Sequence, residues 1–336
     1  MRSRWPAVVL LAAAALLVAL WWTRPSEAER TALLMDTPVR VVVYAQGSRA
    51  AEVADAAISE IARLEALWHP ERPDSDVARV NAAAGAAPVQ VAPETLELAS
   101  LARKVAEASG GAFDPTIGPL VDAWGFGEKG RVPTDAERQA AMALVDWRDL
   151  VVNEEDSTLF LTRPGMRLDL GGIAKGYAAR LLRDFLAGQG VEAGLVQLGG
   201  SVALVGQKPG GGPWQIAVQH PRREGYAAVL SLTGGFVDTA GDYQRYFEQD
   251  GIRYHHILDP TTGFPARGVA AVTVLTQQGE WADAYATAAF VLGMDKGYQF
   301  LLDQGVEGLL ISDTGEVRLT PGMAAVAELT VTPWPQ

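Results

Sequence analysis

Between Ala51 and Trp68 the apolar positions Val53, Ala57, Ile61, Leu64 and Trp68 share one helical face, and the pattern stops before Pro70. A second stripe, Leu98, Leu101 and Val105, predicts a helix from about Pro93 to Ser109, ended by Gly110-Gly111. Period-two and β-branched runs predict strands at Leu33 to Tyr44, with a break at Met35-Asp36-Thr37-Pro38, and at Leu150 to Asn153, Thr158 to Thr162 and Met166 to Leu170. From Val191 onward short strands alternate with turns, at Gly194 to Leu198, Val202 to Val205, Trp214 to Gln219, Ala227 to Leu232 and Gly235 to Asp238, as in an antiparallel sheet. Ala270 to Thr276 reads as a buried strand, and Trp281 to Leu292 as a helix closed by Gly293. His69 opens a polar loop, and Gly111 to Gly127 carries too many Gly and Pro for a regular element. A strand-rich second half with helices in blocks predicts an α+β fold, with mixed, largely antiparallel sheets and packed helices, rather than a doubly wound one.

The N-terminus has its own pattern. Arg2 and Arg4 precede an apolar run from Pro6 to Trp22, the charge order of a secretory signal or a membrane anchor with its start in the cytoplasm. Trp21-Trp22 suits a membrane interface and Ser26-Glu27-Ala28 only weakly resembles a cleavage site, so residues 1–22 are expected to be an uncleaved anchor and 23–30 a polar linker. The remaining residues, 31–336, form the functional domain, placed outside the cytoplasm. The chain has 336 residues, 49% of them hydrophobic, enough for a large core. With 28 basic against 40 acidic residues, net charge −12 and no long basic tract after the N-terminus, a nucleic-acid backbone is excluded as partner. The absence of cysteine excludes disulfides, thiolate metal sites, a Cys nucleophile and a lipid-bearing N-terminal Cys.

Candidate chemistry converges on Arg253 to Gly293. His255 and His256 stand on a short apolar run stopped by Asp259-Pro260, with turn residues Thr261-Thr262-Gly263 after it. Asp283 and Thr287 lie four residues apart on one face of the predicted helix, and both carry oxygen ligands. Two such ligands suit Mg²⁺, which completes its shell with phosphate and water, better than Ca²⁺ with its roughly 6–8 oxygens. The alternative is a helix-stabilising Asp283 and an ordinary Thr287. Gly171-Gly172-Ile173-Ala174-Lys175-Gly176 reads as a strand-to-helix turn whose backbone N–H groups and lysine would receive an anion, with tight strand–helix packing as the equal alternative.

Taken together, GAFDPTIGPLVDAWGFG, LDLGGIAKGYAA, LGGSVALVG, TAGDYQRYF, RYHHILDPTTGFP and ADAYATAAFVLG resemble, in order and spacing, the ApbE family of FAD:protein FMN transferases. The likeness covers Leu33 to about Gly293 and implies a T-fold-related, two-lobed catalytic domain. It implies transfer of the FMN half of FAD to a Thr or Ser hydroxyl of an acceptor protein, as a phosphodiester, with release of AMP and with Mg²⁺ at the pyrophosphate. By matching position, the metal ligands would be Asp283, Thr287 and the carbonyl of Ala174. FAD would lie along Met35, Ala112, Phe113, Asp114, Gly171, Lys175, Tyr177 and Ile257, and His256 would be the base. Asp169 and Asp242 also match motif positions, with loop-holding as their alternative role. The acceptor would be a subunit of a membrane electron-transfer complex, and the enzyme would sit on a bacterial inner membrane facing the periplasm, or be free in the periplasm if the N-terminus is cleaved. Met35-Asp36-Thr37 in place of Met-Gly-Thr, Ala240 in place of Ser, and Glu71 in place of an aromatic depart from the family pattern. Two rival readings are hydrolysis of FAD to FMN and AMP, and an exported flavin-binding or assembly protein without turnover.

Overall fold

The computed structural model describes residues 26–126 and 130–330; the proposed anchor at 1–22 lies outside them. The described strands and helices run β1 (Ser26–Leu34), β2 (Thr37–Ala45), α1 (Arg49–Trp68), α2 (Asp76–Ala82), β3 (Val89–Gln90), α3 (Pro93–Ala108), α4 (Gly118–Trp124), α5 (Asp135–Met142), β4 (Leu150–Asn153), β5 (Thr158–Leu161) and α6 (Ala174–Gly188). They continue with β6 (Ala193–Leu198), β7 (Ser201–Val205), β8 (Trp214–Gln219), β9 (Tyr226–Leu232), β10 (Gly235–Gly241), β11 (Tyr246–Gln249), β12 (Ile252–His255), β13 (Val269–Thr276), α7 (Gly279–Asp303), β14 (Glu307–Ser312), β15 (Val317–Leu319), α8 (Pro321–Val326) and β16 (Ala327–Leu329).

The central element is an antiparallel sheet of eight strands in the order β1-β2-β6-β7-β10-β13-β14-β15. Alternation of side chains gives the sheet two apolar faces. Val39, Val41 and Val43 of β2, with Ala203 and Val205 of β7, point into the main core with α1, α3, α6 and α7. Val42, Val202 and Leu204 point the other way, into a second core closed by Trp214, Ile216, Val218 and Leu230 of the small β16-β9-β8 sheet and by Met323. A third cluster gathers Leu120, Trp124, Ala141 and Leu258 beside the β11-β12 hairpin. This is the α+β architecture expected, with the antiparallel pairing read correctly from the alternating short strands.

Four local expectations need correction. Residues 26–30, expected as linker, form the first half of β1, because each pairs with β2, from Ser26 opposite Ala45 to Arg30 opposite Val41. The polar loop after His69 contains α2, whose start is capped by Ser75 accepting a hydrogen bond from Ala78 N–H at 3.0 Å. The Gly/Pro-rich segment holds α4, with Pro at its first turn and left-handed Gly125 at its end, an arrangement that uses both residue types where helices tolerate them. Met166 to Leu170 makes no strand; Arg167 contributes one isolated bridge to Ile117. Gly293 (φ 85°, ψ 179°) interrupts α7, so the predicted helix does end there and a further helical stretch continues to Asp303. Among the described residues no helix is long and apolar enough to cross a membrane.

Candidate active site

Three segments distant in sequence meet at the start of α6. The turn before it is held by Asp169, whose Oδ1 accepts from Gly171 N–H at 2.7 Å and whose own N–H reaches Pro115 O at 2.8 Å. The N–H groups of Ile173 and Ala174 both bond Leu170 O, whereas those of Gly172 and Lys175 have no protein acceptor among the described residues. Unused donors at a helix start, next to an ammonium group, suit an anion. Lys175 Nζ is anchored on Gly171 O at 2.9 Å and stands 3.3 Å from Asp283 Oδ2.

Asp283 comes from α7, where small residues on both helices allow close approach. A Cβ built on Gly176 would lie 2.7 Å from Asp283 Cβ and 3.2 Å from Asp238 Oδ2, so only glycine fits. Gly176 N–H donates to Asp283 Oδ2 at 3.2 Å. Asp238, on β10, points to the helix side with Phe236 and Ala240, is 2% exposed, and accepts a short hydrogen bond from Ser201 Oγ. Burial and then the negative charge of Asp283 raise its pKa well above the usual carboxylate range, against the hydroxyl bond and Lys175, which lower it. The sequence reading missed Asp238. Its signal was a carboxylate in the inward phase of an apolar strand, where an unpaired charge is costly.

A hard cation fits here. Asp283 supplies a buried carboxylate, Thr287 a hydroxyl one helical turn on, without a side-chain hydrogen bond among the described residues, and Ala174 a backbone oxygen across the Gly176 contact. All are oxygens, few in number, beside a phosphate-type anion site, and two neighbouring carboxylates share only one lysine. Among the described residues no group of three or more His, Cys, Asp and Glu could hold a metal, so any cation depends on Thr and backbone oxygens.

The remaining candidates divide into those near the turn and those engaged in packing. Phe113 is buried in the main core, with its ring 3.1 Å from where a Gly172 Cβ would lie, and its N–H is held by Ser109 Oγ. Ala112 precedes it on the same loop. Asp114 gives both oxygens to the protein, accepting from Thr116 N–H and Oγ1 at 2.7 Å each and from Trp147 N–H at 3.0 Å. Tyr177 is wholly buried, its ring 5.8 Å from that of Trp68 and its hydroxyl bonded to Glu97 at 2.7 Å. Met35 and Asp36 form a two-residue turn with φ of 52° and 55°, and Met35 N–H is fixed by Glu65 Oε1 at 2.5 Å. Asp36 therefore holds the left-handed geometry for which glycine is better suited.

The paired histidines have different surroundings. His255 is 2% exposed; its Nε2–H donates to Ala266 O at 2.8 Å, its Nδ1 accepts from Ile257 N–H at 3.3 Å, and its ring meets Phe290 edge-on at 5.5 Å. Burial pushes its pKa down to about 4. His256 bonds Arg245 O through Nδ1 at 3.2 Å, which must therefore carry the proton, leaving Nε2 with a lone pair and no partner among the described residues. Although the residue is partly open to solvent, lost hydration is the leading cause that pushes its pKa down to about 3, with the charges of Arg245 and Lys175 next. Ile257 is buried and pairs through its carbonyl with Ala266 N–H at 3.0 Å. Asp242 is buried and clamped by both Arg222 nitrogens at 2.5 Å, a loop-holding contact.

The fold and the site together define an α+β protein with unused amide donors and a lysine at a glycine turn, oxygens able to hold a hard cation, and an imidazole kept neutral by burial. The chain belongs to the ApbE family, whose sequence profile matches residues 35–310. It is 36% identical over 295 residues to the FAD:protein FMN transferase of Klebsiella pneumoniae, covering 86% of this chain and 90% of that protein. With the FAD:protein FMN transferase of Treponema pallidum the identity is 37% over 322 residues, covering 89% and 88%. Among solved structures, an ApbE protein from Thermotoga maritima superposes with TM-score 0.85 at 34% identity over 90% of this chain and 99% of that one. The flavin transferase ApbE of Vibrio cholerae gives 0.81 at 30% identity, with the same coverage.

Proposed function

We infer that this chain is a flavin transferase that moves the FMN half of FAD to a Thr or Ser hydroxyl of an acceptor protein and releases AMP. The observation that carries the chemistry is the pairing of the Gly172/Lys175 donors with a neutral His256 whose Nε2 has no partner among the described residues. The amide donors and Lys175 receive the pyrophosphate and offset its charge. His256 Nε2 takes the proton of the attacking hydroxyl as the new P–O bond forms, help worth about 10²–10⁴ in rate. An imidazole with a pKa near 3 is always neutral at pH 7 but weakly basic. Pyrophosphate bound nearby raises that pKa by opposite-charge attraction and so strengthens the base in the complex. Asp283, Thr287 and Ala174 O would hold Mg²⁺, which supplies charge neutralisation of the phosphates. Phe113 packs over the glycine turn, and Asp114, Asp169 and Asp242 keep the surrounding loops in place.

The test is incubation of the soluble part with FAD, Mg²⁺ and a candidate acceptor domain, followed by denaturing electrophoresis. Fluorescent acceptor supports the transferase; AMP without labelling makes the chain a hydrolase, and neither product makes it a binder. The apolar run preceded by Arg2 and Arg4 supports an extracytoplasmic site on the inner membrane, and a subunit of a membrane electron-transfer complex is the acceptor this reading proposes. A C-terminal reporter fusion active only in the cytoplasm would overturn that placement.

A further inference from the structure

The antiparallel register of the β11-β12 hairpin continues one rung beyond the strands: Tyr246 faces His255, and His256 N–H then bonds Arg245 O at 3.1 Å. Arg245 and His256 are thus directly opposed residues, and opposed side chains project from the same face with Cβ atoms about 4.5–5.5 Å apart. The loop that delivers Arg245 is fixed at several points. Asp242 is clamped by Arg222 and bonded through its N–H to Ala270 O, the Tyr243 ring packs on Gly241, and Gln244 Nε2 reaches Thr239 O at 3.2 Å. The Arg245 side chain is exposed and has neither a carboxylate nor an aromatic ring as partner among the described residues, where fourteen other arginines form ion pairs. In a chain of net charge −12, an unpaired guanidinium held on a rigid loop beside the free imidazole is placed for an anion that arrives from outside.

Resting on the transferase reading above, we propose that Arg245 is a further catalytic residue: its guanidinium bonds the non-bridging oxygens of the FMN phosphorus under attack. The acceptor hydroxyl oxygen forms the new bond to that phosphorus while the bond to the bridging oxygen breaks. The leaving electron pair stays on the AMP phosphate, and the hydroxyl proton passes to His256 Nε2. Lys175 and the amides of the glycine turn grip the pyrophosphate from one side, and Arg245 completes the cradle from the hairpin side, strengthening as charge redistributes in the transition state. Its charge also helps keep His256 unprotonated before the substrate binds.

The test compares full-length wild type, Arg245→Ala and Arg245→Lys. Three quantities are read: FAD affinity by quenching of flavin fluorescence, kcat and acceptor KM for labelling, and the His256 imidazole titration by NMR without FAD. Arg245→Ala should lower kcat about 10²-fold, the scale for loss of one transition-state donor. FAD affinity and acceptor KM should stay within a few-fold, and the His256 pKa should rise. Arg245→Lys should recover part of kcat and keep the titration near wild type. Unchanged kcat overturns the proposal, as does a rise in KM alone, which would make Arg245 an acceptor contact, or loss of the fold or FAD binding in step with kcat. A wild type that never labels an acceptor defeats the transferase reading itself, and this proposal with it.

Discussion

Replacing each of the two adjacent histidines by alanine should produce opposite defects. His255→Ala removes a buried ring, leaving the Ala266 carbonyl and the Ile257 amide without partners and opening space beside Phe290. Unsatisfied buried groups cost about 1–3 kcal/mol each, and truncating a packed ring costs about as much again, so a loss of about 3–5 kcal/mol is expected. In a domain of this size that lowers Tm by roughly 5–10 °C, since about 2–4 °C accompanies each kcal/mol at 150–250 residues and less above that. His256→Ala loses one hydrogen bond at a partly open position, about 1 kcal/mol or less, and Tm should stay within a few degrees of wild type. Its labelling of the acceptor, followed by flavin fluorescence after denaturing electrophoresis, should fall about 10²–10⁴-fold with little change in FAD affinity. At a temperature where it remains folded, His255→Ala should retain most of its labelling rate. The reasoning is refuted if His256→Ala melts early with near-normal labelling, or if His255→Ala melts normally and labels no acceptor.

Asp283→Ala should lower transfer about 10²–10³-fold, partly restored by excess Mg²⁺, and Thr287→Val should lower it less; full Mg²⁺-dependent transfer by Asp283→Ala would end the cation assignment. Gly176→Ala should displace Asp283, with which its Cβ would collide, and raise the Mg²⁺ concentration needed for half-maximal transfer; an unchanged requirement would mean that the α6–α7 approach does not set the site. Asp36→Gly should stabilise the β1-β2 turn by about 0.5–1 kcal/mol in denaturant titration, since φ at this position is 55°; a destabilised variant would reveal a role for the Asp36 side chain. The His255 pKa is depressed in the fold, so between pH about 6.5 and about 4 the unfolded chain binds the extra proton and stability falls as pH falls. Its share approaches about 3 kcal/mol, present above pH 6.5 and lost at the acid end, and urea midpoints of wild type and His255→Asn should converge in slope above that window and diverge within it.

Local periodicity carried much of this protein. Helices α1 and α3, the strands from β6 to β10 and the stop at Gly293 were legible because each depends on side-chain alternation or spacing within a few residues. The glycine turn before α6, the Asp283/Thr287 spacing and the paired histidines were likewise present as candidates. The errors came where two local signals competed. Gly and Pro in residues 111–127 suggested loop, yet Pro119 in the first turn and Gly125 after the last one bound a helix, and polar residues 26–30 suggested linker until β2 supplied partners for their backbone. Which groups meet through space could not be read from the chain, and even Asp238, a carboxylate in the inward phase of an apolar strand, gave no hint of its partners. Lys175 and Asp283 meet across 108 positions and Ser201 and Asp238 across 37, so the second buried carboxylate beside Asp283 and Lys175 takes its place only when β7, β10, α6 and α7 pack together. Local pattern offered two imidazoles in a row, and only the family resemblance singled out His256; the fold shows how their surroundings differ. His255 points into the core, where the Ala266 carbonyl and the Ile257 amide use both nitrogens, and His256, turned to the opposite face by the period of the strand, spends one nitrogen on Arg245 O and leaves the other without a partner among the described residues.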